Sequence, residues 1–234
     1  MTQAAASFDP PASEPAADAA PKEAPPTAVE LGAMLSARLC HDFMSPASAI
    51  ASGLDLIEDP TTQDMREDAM RLIAQSATKL TDLLQFNRVA FGASAAADVF
   101  DARDLERLVR GLFSHLRAEL DWQVEPAGLN KPAARILLNL AQIGGEALPM
   151  GGTTKVRVVE AGDRYAISIE SKGNRARLRP EVLSGLGGGP KGEAMGGHWV
   201  QAYYLHLIAK AAGGQVAAES GEETVTLAAW APLG

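Results

Sequence analysis

The sequence predicts an α+β protein in two parts: a long helical hairpin that pairs with a second copy as a four-helix bundle, then an α/β sandwich. Three observations carry this expectation. Two apolar stripes at helical spacing follow one another over residues 29–92. Residues 98–234 then alternate between helix-like and strand-like patterns, the mark of a layered mixed domain. A segment rich in Ala and Pro, residues 1–28, precedes both and has too little apolar surface to offset its ordering entropy, so it reads as a disordered tail.

In the first helix Leu35, Leu39, Phe43, Pro46, Ile50, Leu54 and Ile57 fall within a sector of roughly 100° when residues are placed 100° apart. That face persists for about seven turns, a helix of about 40 Å. Residues 58–62, Glu-Asp-Pro-Thr-Thr, break it, and a threonine there suits the cap of the next helix. The second stripe is Met65, Ala69, Leu72, Ile73, Ser76, Leu80, Leu83, Leu84, Asn87 and Phe91. A lone hairpin leaves a long apolar face on each helix. A second copy covers both faces in a four-helix bundle; the competing arrangement packs the hairpin onto the rest of its own chain. The full length of the stripes favours the homodimer.

After a linker at residues 92–97, residues 101–119 are amphipathic, with Leu105, Leu108, Val109, Leu112, Phe113 and Leu116 on one face. A short strand is expected at 122–124 and a helix at 133–147. Strands follow at 155–160 and 165–170, joined through Gly162 and Asp163. The Gly-rich stretch 184–197 has few apolar anchors and predicts no regular structure. A helix over 200–211 ends at Gly213-Gly214, and strands at 215–218 and 224–230 complete a mixed sheet.

With 234 residues and 47% hydrophobic content, the chain has a core to bury. Its 21 basic against 29 acidic residues, a formal charge of -8, disfavour nucleic acid or an anionic membrane surface as a ligand. Cys40 is the single cysteine, which excludes an internal disulfide framework and a multi-cysteine metal site. No apolar run approaches the roughly 18 to 20 residues of a membrane-spanning helix. The N-terminus has neither the basic flank nor the apolar core of a secretory signal. A soluble protein in a reducing, cytoplasmic compartment is expected.

His41 lies about 180° from the middle of the first apolar stripe, so it points outward. A histidine on a helix is most often a solvated surface residue. Three neighbours raise this one above that default. Asp42 beside it can orient the imidazole and raise its basicity. Pro46 bends a helix whose apolar pattern continues past it. Small residues around the proline, Ser45, Ala47, Ser48, Ala49 and Ser52, leave room for another protein to approach. An exposed imidazole with an acidic neighbour and open surface is a reasonable nucleophile.

The run His41-Asp42-Phe43-Met44-Ser45-Pro46 with Ile50 resembles the phosphoacceptor box of dimeric sensor histidine kinases. Residues 101–234 resemble the Bergerat-type ATP-binding domain of those kinases, with altered boxes. Leu138-Asn139-Leu140-Ala141-Gln142-Ile143-Gly144 tracks the asparagine box, but Ile143 stands where an asparagine holds magnesium, and an aliphatic side chain offers a hard cation no oxygen. Ser171 stands in place of the adenine-reading aspartate. Gly173 is kept, and Arg175 replaces the glycine after it. Gly197 is kept in the third box, while Trp199 and Gln201 replace glycines that let phosphates approach the backbone.

A histidine hairpin fused to a disabled nucleotide domain is similar to the ChpT-type histidine phosphotransferases of alphaproteobacteria. Arg38-Leu39-Cys40-His41-Asp42 and residues 86–92, Phe-Asn-Arg-Val-Ala-Phe-Gly, carry that resemblance, which spans residues 29–234. It implies that His41 accepts a phosphoryl group from the receiver domain of a hybrid kinase and passes it to response-regulator receivers that govern the cell cycle. It implies no ATP and no metal of the chain's own, with Mg2+ carried by the receiver. Asp42 is then an orienter. Met44, Ser45, Ser48, Ser52 and Asp55, on the helix face just beyond His41, are the expected docking surface. Arg175, Arg177 and Arg179, spaced by two, are a further candidate contact to an acidic receiver surface, with a solvated basic run as the plain alternative.

His115, His198 and His206 have no acidic or cysteine partner at metal-ligand spacing and read as structural. Cys40 reads as packing or a neutral surface position, and Asn87 as either a register-fixing buried polar group or a locally satisfied one. An ATP-dependent kinase and a non-catalytic adaptor are the competing functional classes.

Overall fold

A computed structural model describes residues 24–92, 98–189 and 197–233. The expected tail is outside the described residues up to position 23, as are linker residues 93–97 and residues 190–196 of the Gly-rich stretch.

Helix α1, Ala28–Glu58, starts at a capping box. The Thr27 hydroxyl accepts from the Glu30 amide, and the Glu30 carboxylate accepts from the Thr27 amide. It runs through Pro46, which is buried, without a break. The turn departs from expectation. Asp59, not a threonine, caps a short 3-10 turn over Pro60–Met65 by accepting from the Thr61 amide at 2.8 Å. Thr62 instead donates its hydroxyl back to the Leu56 carbonyl at 2.7 Å. Helix α2, Arg66–Ala90, then follows with no side-chain cap and with Glu67 and Asp68 in its first turn, where the helix dipole favours negative charge. Gly53 lets the two helices meet closely: a Cβ there would stand 2.6 Å from Ile73 Cγ1 and 3.2 Å from the Ala69 carbonyl oxygen.

The second part begins with β1, Val99–Asp101, and α3, Ala102–Phe113, and continues through β2, Ala118–Val124, and β3, Gly128–Asn130. Next come α4, Lys131–Glu146, then β4, Gly152–Ala161, and β5, Arg164–Lys172. The last elements are α5, Pro180–Leu186, α6, Gly197–Ala211, β6, Gln215–Ser220, and β7, Thr224–Pro232. Five strands form one mixed sheet in the order β2-β4-β5-β7-β6, parallel between β2 and β4 and antiparallel elsewhere. β1 and β3 make a separate two-stranded ribbon. Alternate residues of the central strands, Val156 and Val158, Ile167 and Ile169, Val225 and Leu227, turn inward into one core with Ile136, Leu137 and Leu140 of α4. Gly144 brings α4 hard against the sheet, since a Cβ would stand 2.5 Å from Ile169 Cγ2.

Several expected boundaries shift. The amphipathic run over 101–119 is helical only to Phe113, and Glu119 already belongs to β2, which is longer than the strand expected at 122–124. α5 occupies residues 184–186 of the stretch expected to lack regular structure, and α6 begins at Gly197 rather than at 200. β1 and β3 were not foreseen.

The two parts are packed together. Phe86, Val89 and Ala90 at the end of α2 belong to the main core, and Phe43 of α1 packs against it. Trp199, Val200 and Tyr203 of α6 pack with Leu31, Met34 and Leu35 of α1. The end of the hairpin nearest the second domain is therefore covered by its own chain, an arrangement the stripe alone did not favour. The far end is not: Leu54, Met65, Met70 and Leu72 stand exposed.

Candidate functional site

His41 sits on α1 beside the junction with the second domain, its side chain 88% exposed. Asp42 is half-buried, and its Oδ1 lies 3.4 Å from His41 Nδ1. A carboxylate only accepts, so the proton of a neutral ring facing it resides on Nδ1, leaving Nε2 with its lone pair free. The side chains that follow at helical spacing, Met44, Ser45, Ser48, Ser52 and Asp55, are all exposed. Cys40 is exposed too.

Behind Asp42 lies a polar network in which sequence reasoning had placed no functional residue. Arg38, one turn before Asp42, is 7% exposed. Its Nε is 3.5 Å from Asp42 Oδ2, its Nη2 is 3.6 Å from Glu146 Oε1, and its Nη1 donates to the Gly197 carbonyl. Glu146, the last residue of α4, also faces His198 Nδ1 at 3.4 Å and accepts from Gln142 Nε2 at 3.0 Å. Burial pushes the Glu146 pKa up, but the His198 hydrogen bond, the charges of Arg38 and His198 and the Gln142 bond outweigh it and hold the carboxyl below its usual range. The spacing of four between Arg38 and Asp42 is the one local signal of this network in the sequence.

The network continues through the residues that track the kinase boxes. Gln201 Nε2 donates to Gln142 Oε1 at 2.8 Å and to Asn139 Oδ1 at 3.3 Å, and Asn139 Nδ2 donates to the Ala90 carbonyl at 3.2 Å. Ser171 is fully buried, donating to the Gly144 carbonyl at 2.9 Å and lying 3.2 Å from the Thr154 hydroxyl. Trp199 is buried against α1. Ile143 lines a cavity of about 310 Å3 together with Leu148, Leu178 and Gln201.

Arg177 and Arg179 line the same cavity as Arg117. The alternation foreseen for this segment is present in exposure: Arg175, Arg177 and Arg179 are exposed while Ala176 and Leu178 between them are buried. Arg175 itself sits in a left-handed turn at φ 60° and does not line the cavity. A second hollow, of about 570 Å3, runs between α1 and α6 from Met34 and Ala37 past His41 and Asp42 to Glu146, His198 and Trp199.

The remaining histidines take structural roles, two of them with acidic partners supplied by the fold. His115 Nε2 lies 2.8 Å from Asp82 Oδ2 and ties the second domain to α2. His206 Nδ1 lies 3.0 Å from the Leu186 carbonyl. His198 belongs to the Glu146 network. Among the described residues no group of His, Cys, Asp and Glu could hold a metal ion. Asn87 is satisfied locally, donating to the Leu83 carbonyl at 2.8 Å.

A bare histidine on a helical hairpin, backed by a kinase-like sandwich whose box residues bond to one another, defines a protein of the histidine-phosphotransfer class. The profile described as "Histidine phosphotransferase C-terminal domain" matches residues 102–224. The protein phosphotransferase ChpT of Brucella abortus (strain 2308) is 36% identical over 207 residues, 87% of this chain and 96% of that relative. A solved bacterial phosphotransferase superposes with a TM-score of 0.79 at 34% identity, over 89% of this chain and 99% of its own. The chain belongs to the ChpT-type histidine phosphotransferase family.

Proposed function

We propose that this protein carries phosphoryl groups between receiver domains of a bacterial phosphorelay through His41, accepting from a hybrid-kinase receiver and delivering to response-regulator receivers in cell-cycle control. The observation that carries the reading is the geometry of His41: an exposed imidazole whose Nδ1 faces Asp42 at 3.4 Å, with the bulk of the ring open to a partner. Membership of the family supports the phosphotransferase activity.

In the accepting step the Nε2 lone pair attacks the phosphorus of an aspartyl phosphate in line. The N–P bond forms, the P–O bond to the aspartyl oxygen breaks, and the carboxylate leaves with the electron pair. The Nδ1 proton stays in place, and Asp42 stabilises the positive charge on the ring. The delivering step is the reverse on a second receiver. Mg2+ held by the receiver would neutralise the phosphoryl oxygens, and this reading gives the chain no metal of its own. Met44, Ser45, Ser48, Ser52 and Asp55 form the contact face on α1. Arg175, Arg177 and Arg179 meet an acidic receiver surface from the second domain.

The second domain does not act as an autokinase on this reading, because its residues do not fit a magnesium nucleotide. Ile143 offers no oxygen to a cation. Ser171 spends its hydroxyl on Gly144 and Thr154, and Gln201 fills its place with bonds to Gln142 and Asn139. The protein works as a homodimer through the far end of the hairpin, where exposed Leu54 and Leu72 supply an apolar face. The relay on this reading runs in the cytoplasm; among the described residues no helix is long and apolar enough to cross a membrane. The test offers the protein labelled ATP or a receiver carrying labelled phosphate. Label is expected on His41 from the receiver alone; label from ATP makes it a kinase, and unchanged signalling by His41→Ala makes it an adaptor.

A further inference from the structure

Arg38 is the one charged side chain that is buried among the described residues. A guanidinium out of water is costly unless carboxylates and acceptors surround it, and removing one partner leaves the others uncompensated. Here its three nitrogens point to three places: Asp42 on its own helix, Glu146 at the end of α4, and the Gly197 carbonyl at the start of α6. Gly197 makes room for the side chain as well. A Cβ at that position would stand 3.1 Å from Arg38 Cγ and 3.4 Å from its Cβ and Cδ. The glycine retained from the nucleotide boxes thus serves an arginine of the hairpin.

We propose that Arg38 is a positioning residue for phosphoryl transfer: held by Glu146 and the Gly197 carbonyl, it fixes Asp42 against Nδ1 of His41 and so presents Nε2 to the incoming phosphorus. The inference rests on the reading of His41 as phosphoacceptor. It assigns the second domain a part in the site that needs no nucleotide. Glu146 is itself held by His198 and Gln142, and Gln142 is tied through Gln201 and Asn139 to the carbonyl of Ala90 on α2. The imidazole is therefore aligned by a chain of contacts through α4 and α6 as well as by its own helix.

Arg38→Met keeps much of the side-chain length and removes the charge. With a phosphorylated receiver domain as donor, single-turnover transfer is expected to slow about 10- to 100-fold while receiver affinity stays unchanged, the size of effect a small misplacement of a reacting group produces. The 15N shifts of His41 are expected to move from a ring protonated mainly on Nδ1 to a mixture of tautomers. Glu146→Gln and Gly197→Ala, which disturb Arg38 without touching α1, are expected to act in the same direction and more weakly; they decide the matter if Arg38→Met fails to fold. Wild-type transfer rate, or a wild-type tautomer ratio, in a folded Arg38→Met protein overturns the proposal. So does a change in receiver affinity alone. His41→Ala separates the two ideas: label still taken up by that variant overturns the phosphoacceptor reading, whereas its loss with a fast Arg38→Met protein overturns only the positioning role.

Discussion

Two sets of residues in this chain carry kinase character, and the fold has treated them in opposite ways. His41 on the hairpin is left bare, with one side of its ring facing Asp42 and the other facing solvent. Asn139, Gln142, Ser171 and Gln201 in the second domain are 0–5% exposed and satisfy one another or nearby backbone. A polar group acts on a ligand only while the protein leaves it something to bond. Once each of its bonds is made internally, it becomes architecture, and its removal costs stability rather than chemistry.

The largest test of that contrast is His41→Ala. It is expected to lower phosphoryl uptake from a receiver at least about a thousandfold, since no other group replaces a lost nucleophile, with the thermal transition little changed because the side chain is 88% exposed. A stability loss equal to that of a core variant would break the comparison. Next is the hairpin's far end. Leu54→Glu with Leu72→Glu is expected to convert the proposed dimer to monomer in light scattering and to leave the second domain folded, because charges directly on the apolar face of a bundle forfeit its burial. Asn139→Ala removes the donor to Ala90 and the acceptor for Gln201, and is expected to cost about 1–3 kcal/mol in urea denaturation.

Smaller is the response to acid. The folded pKa of Glu146 lies below its unfolded value, so the stabilisation it brings is fully present above the ordinary glutamate pKa of about 4.3 and is lost as pH falls through the lowered folded value. Glu146→Gln is expected to be less stable than wild type at neutral pH and to show a flatter stability profile below about pH 4. The smallest effect expected is that of Ser171→Ala, about 1 kcal/mol, the size of a single neutral hydrogen bond lost to the Gly144 carbonyl.

The hairpin was legible because two long stripes at helical spacing leave no other period to fit, and His41 because it stands opposite the first stripe beside Asp42 and ahead of Pro46. α5 was not, since seven residues containing Gly185 and followed by Gly187, Gly188 and Gly189 look like loop at every local scale. β1 and β3 are three residues each, too short to display alternation. Arg38 was visible in the motif before His41, but its partners lie on α4 and α6. A contact across 159 residues, as between Arg38 and Gly197, leaves no trace in spacing. Which covering an apolar stripe receives was equally illegible. The same pattern is covered by α6 at one end of α1 and open at the other, because the stripe records only that burial is needed.

That contact has a consequence for how the protein comes into being. The helix bearing the histidine is translated first, and the glycine that grips its arginine emerges from the ribosome 159 residues later. A nascent chain halted before α6 would display the reactive ring without the brace behind it. If the brace positions the ring as proposed, competence to relay waits on the emergence of α6, and a polypeptide halted before it makes a poor thief of phosphate from its partners.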